Sequence, residues 1–247
     1  MKRLFFLLLI LPIGSVQAQA SFKVLAITSK AKDHRAMMAC AKPFLEAMGA
    51  NHHFSVDVSD DTSLVNTHNL AQYAVVIMLQ EAPFDMSGDQ QKAVQAFVEQ
   101  GGGWVGIHAA GLTGKQFGSG HPSYHYWQWF EEFMGGVVYS PHPKFQPGVV
   151  IVEDRTHPVT RNLPEKFQIS DEWYEFDKSP RPNVHVLARA DESSYHQNKP
   201  MGDHPIIWTN PRYDRMVYIG IGHDASLCSD PNFGILIRDA IRWAAKK

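Results

Sequence analysis

Short apolar runs ending on polar or glycine-rich turns, with helix-length segments between them, constrain this chain more than any other feature. Lys23–Thr28 and Ala74–Leu79 are compact and strand-length, and Trp104–His108 follows three consecutive glycines, Gly101 to Gly103. Between them, residues 36–48 and 88–100 carry apolar positions at helical spacing, and Phe54–Val58 alternates as a further strand. A strand covered on both faces is apolar throughout, and helices between such strands cover a parallel sheet from both sides. The expectation is an α/β fold: one doubly wound domain with a mostly parallel sheet and helices on both faces.

The second half is less regular. Tyr124–Met134 has the composition of an aromatic-rich helix, and Val149–Glu153 and Val184–Ala188 have that of strands. Ile206–Thr209 and Met216–Ile221 form an expected hairpin around Pro211–Arg215. Asp230-Pro231 supplies a capping carboxylate and a first-turn proline for a last helix running to about Ala245. No repeat or low-complexity linker divides the chain, so a single domain over residues 21–247 is expected.

The first twenty residues have a different logic. Lys2-Arg3 precedes the apolar run Leu4–Leu11, and Ala18-Gln19-Ala20 offers small residues for cleavage after Ala18 or Ala20. That order is the pattern of a secretory signal peptide, and the run is shorter than the roughly 20 residues that span a bilayer. Export to the periplasm is expected, with full secretion as the alternative and no stable membrane anchor after cleavage. Cys40 and Cys228 could pair in an oxidising compartment or remain as two thiols, and sequence leaves both open. The formal net charge of −2 gives no support for nucleic-acid binding. Self-association is left open.

Sites in open α/β sheets gather beyond the carboxyl ends of the strands. Asp33-His34-Arg35 follows the first strand, His108 ends the strand begun by Trp104, and His223 follows Gly220-Ile221-Gly222. Asp171-Glu172 opens a segment containing Trp173 and Tyr174. His108, Glu172, His223 and His34 are therefore the candidate catalytic residues, since imidazole and carboxylate exchange protons near neutral pH. Arg35, Asp171, Tyr174, His204 and Trp208 are candidate substrate contacts, the aromatic groups as stacking faces for a sugar. Adjacent Asp171 and Glu172 point to opposite sides of an extended chain, so one is expected in the cleft and the other as a cap. Each of these residues has a structural alternative, as a packed strand-end histidine, a solvated charge or a core aromatic. The chain has 13 histidines but no HExxH pattern. A zinc or other transition-metal site would have to draw on distant segments, with His34, His108, Glu172 and His223 as its candidates. His121, His125 and His142 lie in a Pro-rich, aromatic stretch, as mouth or lid residues.

Taken together, Lys23–Thr28, Asp33-His34, Gly101–Ala110, Asp171–Tyr174, His204–Trp208 and Gly220–His223 resemble the ThuA-like family, named from trehalose utilisation. The resemblance runs from Lys23 to about Ala245. It implies a class I glutamine amidotransferase-like fold, a flavodoxin-like three-layer sandwich. It does not imply that fold's cysteine chemistry, because His108 stands where those enzymes place their nucleophile. It implies a small-molecule carbohydrate as the ligand. The resulting expectation is a carbohydrate-processing enzyme that uses His/Glu acid–base chemistry on a keto-sugar or glycoside, as a lyase, hydratase, isomerase or hydrolase. A non-catalytic sugar-binding module and a structural interaction domain are the alternatives.

Overall fold

A computed structural model describes residues 22–119 and 124–246. The expected signal peptide, residues 1–20, and His121 lie outside the described residues. The chain runs β1 (Phe22–Thr28), α1 (Arg35–His52), β2 (Phe54–Ser59), α2 (Thr67–Leu70), β3 (Val75–Leu79), α3 (Gly88–Glu99) and β4 (Gly103–Ile107). It continues through α4 (Gln128–Phe133), β5 (Tyr139–Ser140), β6 (Gln146–Val152), β7 (Lys166–Asp171), β8 (Glu175–Phe176), β9 (His185–Ala190), β10 (Pro205–Thr209), β11 (Met216–Ile219) and α5 (Pro231–Ala244).

Nine strands form one sheet in the order β2-β1-β3-β4-β11-β10-β9-β6-β7. From β2 to β11 all neighbours are parallel. From β11 to β7 they are antiparallel. β3 and β4 are buried at every residue, which is why they are apolar throughout. Their alternation sorts side chains between two cores. Val24, Ile77, Val105 and Ile107 pack with Leu45 of α1 and Ile237 of α5 on one face. Leu25, Met78 and Trp104 pack with Val94 of α3 and Phe133 of α4 on the other. The fold is the doubly wound α/β sandwich the sequence implies. Its parallel half aligns the carboxyl ends of β1, β3, β4 and β11 along one edge.

Two elements differ from the sequence expectation. The aromatic helix is confined to Gln128–Phe133, because the chain before it is held elsewhere. Gln91 donates to the His125 carbonyl, and the Tyr124 hydroxyl donates to that of Gly114. Asp171 ends a strand rather than opening a segment: Phe167 and Ile169 point inward along β7 while Lys166 and Gln168 face outward. The hairpin of β10 and β11 and the Asp230 cap on the Asn232 and Phe233 amides are as expected.

Cys40 and Cys228 form a disulfide. It joins α1, which begins just after His34, to the 3₁₀ turn Ala225–Ser229, which begins just after His223 and Asp224. The bridge closes a loop of sequence separation 188, which restricts the unfolded chain and is worth about 2–4 kcal/mol for such a cross-link. Reduction is expected to lower the melting temperature by about 5–15 °C in a calorimetric scan. An unchanged midpoint would show that the packing of α1 alone holds this corner.

Candidate functional site

His108 sits where β4 breaks into a 3₁₀ turn, with φ of 55°, in the left-handed region that a non-glycine residue adopts only when its surroundings hold it there. Its Nδ1 lies 3.1 Å from the Gly220 carbonyl, which fixes the proton on Nδ1 and leaves Nε2 free to accept. The Tyr218 hydroxyl donates to the His108 carbonyl at 3.0 Å from beneath. Gly222 permits the next step: a Cβ there would come within 2.4 Å of Ile107 and 3.0 Å of the His108 Cβ. Only a bare backbone lets the loop after β11 pass close enough to set His223 beside His108. Gln80, at the end of β3 and also at positive φ, donates to the Gly222 and His223 carbonyls and clamps that loop.

His34 reaches the same place from the turn after β1. One ring nitrogen from each of His34, His108 and His223 lies within 4.8 Å of the other two. On each ring one buried nitrogen lacks a hydrogen-bond partner: Nδ1 of His34, Nε2 of His108 and Nδ1 of His223. Buried polar atoms are normally satisfied, so an unpaired nitrogen on each of three clustered rings is an unusual arrangement.

The carboxylates come from the far end of the sheet. β7 is four strands from β11, but the sheet curls, with register breaks between β9 and β10, and brings Asp171 back to the β11 loop. Asp171 is fully buried and accepts from the amides of Glu172, Gly222 and His223 at 2.8, 2.8 and 3.3 Å. It also lies 3.5 Å from His108 Nδ1. Burial pushes its carboxyl up, and the His108 ring and those amides oppose the rise. The next side chain points the other way, as alternation requires. Glu172 Oε2 stands 3.1 Å from His223 Nδ1 but out of hydrogen-bond alignment, 3.3 Å from His142 Nε2 and 3.6 Å from His108 Nε2.

The electrostatics follow from this crowding. Burial alone would raise Glu172, but His108, His223 and His142 outweigh it and hold the carboxyl well below its usual range. The Glu172 carboxylate raises His223 against the effect of burial. Burial, reinforced by His108 and His223, lowers His34 to about 4. His34 is therefore neutral at physiological pH, with its lone pair available.

The structure thus brings His34, His108, His223 and Glu172 together and adds His142 to them. It separates the others. His108 has no exposed surface, so it cannot meet a substrate as a free base. Asp171 binds backbone amides and is closed to any ligand. Tyr174 is buried between imidazoles, its ring centroid 4.0 Å from His108 and 5.1 Å from His142, and it spaces them. His204 is sealed and bonded to the Tyr195 hydroxyl and the Tyr174 carbonyl. Trp208 lies wholly in the core against Tyr218 and offers no face to a sugar. Arg35 is exposed on the first turn of α1, and His125 is exposed on the strand-like stretch beside Phe84. Gln80 escaped the sequence reading. Its signal was a polar residue at the end of the apolar run 74–79, the same signal that singled out His108.

An α/β sandwich with imidazoles converging at the carboxyl ends of its parallel strands defines the class. Residues 23–244 match the family model described as trehalose utilisation, ThuA, and the chain belongs to that family. It is 32% identical to a protein described as ThuA-like from Bacteroides uniformis, with a TM-score of 0.80 over 94% of this chain and 95% of that one. A second, from Parabacteroides merdae, is 18% identical with a TM-score of 0.67 over 92% and 90%. A Thermoplasma acidophilum protein described as belonging to GMP synthase is 11% identical with a TM-score of 0.57 over 92% and 96%, a likeness of fold alone. Comparison with curated proteins gives no significant match. The position after β4 is His108, and both cysteines are tied in the disulfide, so neither occupies that elbow.

Replacing Asp171 with alanine orphans three amides and frees the loop after β11. The expected cost is about 2–4 kcal/mol in urea denaturation. A loss under about 0.5 kcal/mol, within the range of ordinary surface substitutions, would mean that Asp171 does not hold these segments together.

Proposed function

We propose that this protein is a metal-dependent carbohydrate-processing enzyme, in which His34, His108 and His223 hold a divalent transition-metal ion and Glu172 moves a proton on the substrate. The observation that carries the reading is that His34, His108 and His223, drawn from three separate strand ends, each place a ring nitrogen within 4.8 Å of the other two. The donor set fits: three imidazoles suit zinc or a neighbouring first-row ion and leave a coordination position for substrate or water. The bond from His108 Nδ1 to the Gly220 carbonyl is the outer contact that fixes a ligating histidine's tautomer. When bound, such an ion polarises a carbonyl or hydroxyl oxygen.

The chain's own groups supply the rest. Glu172, 19% exposed, is the carboxylate of the cluster, and His142, 27% exposed, lies 3.3 Å from it. A carbonyl in a keto-sugar acidifies the neighbouring C–H. Glu172 takes that proton and shares it with His142 Nε2, leaving the electron pair as an enolate on the sugar. Return of the proton to the former carbonyl carbon, with the proton of the neighbouring hydroxyl moving to the former carbonyl oxygen, gives isomerisation. Collapse of the enolate with expulsion of a β-oxygen substituent, which takes the proton held by Glu172 and His142, gives elimination. The carbohydrate class rests on the family description. Export to the periplasm is supported by the leader pattern at residues 1–20 and by the disulfide, which belongs to oxidising compartments.

Two measurements test the reading. Titration calorimetry with zinc and cobalt should show one ion per chain, with affinity reduced at least 100-fold in His108→Ala. In D₂O, the metal-loaded protein should exchange deuterium into keto-trehalose next to the carbonyl, and Glu172→Gln should slow this at least 100-fold while keeping the metal. A wild type that binds neither ion, or exchange that persists in Glu172→Gln, would refute the assignment.

A further inference from the structure

Phe145 is the large hydrophobic side chain that stands exposed among the described residues, at 42%. It lies three residues after His142, and its ring centroid is 5.9 Å from that of His223. An isolated apolar side chain in water needs no explanation by itself. This one is presented beside the candidate site by a loop that the fold holds on both sides.

The anchoring is polar and specific. Asn198 donates to the carbonyls of Pro141 and His142 at 3.3 and 2.7 Å. Gln146 donates to the Lys144 carbonyl at 3.1 Å and to the His196 carbonyl at 2.9 Å, and accepts from the His196 amide at 2.9 Å. The anchoring segment is fixed in turn by Glu175, a fully buried carboxylate that accepts from the amides of Asn198 and Lys199 at 2.8 Å each. Pro143, buried within the loop, restricts its backbone further. These contacts hold the backbone on either side of Phe145, whose ring lies at the edge of the cluster beside His223, so less ordering of the loop remains when a ligand arrives.

We propose that Phe145 is the stacking platform for a pyranose ring of the substrate and so sets the preference for a sugar over other polar molecules. The inference rests on the carbohydrate reading above and assigns the residue that performs the recognition. A pyranose carries hydroxyls around its rim and C–H bonds on its faces. An aromatic ring takes the apolar face, and the few polar groups of the site fix orientation. Here those groups are His142 and Glu172, the first on the same loop and the second 3.1 Å from His223. The other aromatic candidates are excluded by position, since Trp173, Tyr174 and Trp208 are all buried.

The test is trehalose titrated into the zinc-loaded protein by calorimetry, comparing wild type with Phe145→Ala and Phe145→Trp. Phe145→Ala is expected to bind trehalose about tenfold more weakly and Phe145→Trp at least as well as wild type. Zinc affinity and melting temperature should be unchanged in both variants. Trehalose binding equal to wild type in Phe145→Ala overturns the platform and leaves the carbohydrate reading intact. Parallel loss of zinc and trehalose in Phe145→Ala also overturns it, since the ring would then serve the loop. If wild type does not bind trehalose, the carbohydrate reading falls and the platform with it.

Discussion

A single buried carboxylate joins segments that the topology would otherwise keep apart. Asp171 ends the outermost strand, yet it accepts amides from the loop after β11 and lies against the His108 ring at the end of β4. A charge-accepting group with no solvent must be matched by donors, and here backbone amides supply them. Because those amides belong to Gly222 and His223, satisfying Asp171 also places His223. Because side chains alternate along the chain, placing Asp171 inward also turns Glu172 toward the imidazoles. The positions of His223 and Glu172 therefore follow from one contact.

The rest of the site is an exercise in close approach. The tight turn at His108 aims Nε2 at the cluster, Gly222 lets the neighbouring loop touch it, and Gln80 holds that loop from the other side. Tyr174 fills the space between His108 and His142 without reaching solvent. The consequence is a set of opposed electrostatic effects within one crowded group. His34 is lowered, His223 is raised by its carboxylate neighbour, and Glu172 is kept ionised. Such opposed shifts mark sites where electrostatics has been arranged for chemistry or for a bound cation.

Much of this was legible in the sequence, and the part that was not has a physical reason. Apolar runs buried on both faces announce parallel strands, so the positions of His34, His108 and His223 at their carboxyl ends could be inferred from order alone. Glu172 was expected beside them for its chemistry, but the path that brings it there from the far edge of the sheet was not legible, because register breaks such as those between β9 and β10 leave no local pattern. Trp208 and His204 were expected at the surface of the cleft because aromatic and imidazole groups suit sugars. Both occur in or beside a strand buried at every residue, where the same side chains serve the core. Phe145 carried no periodic signal, since its significance lies in being outside any core.

The central claim is that the histidine cluster is a metal site, and X-ray absorption at the zinc edge of the zinc-loaded protein addresses it most directly. The account predicts three nitrogen scatterers of imidazole type at about 2.0–2.1 Å, with one imidazole lost in His223→Ala. A first shell of oxygen alone, or a spectrum unchanged by that substitution, would contradict it.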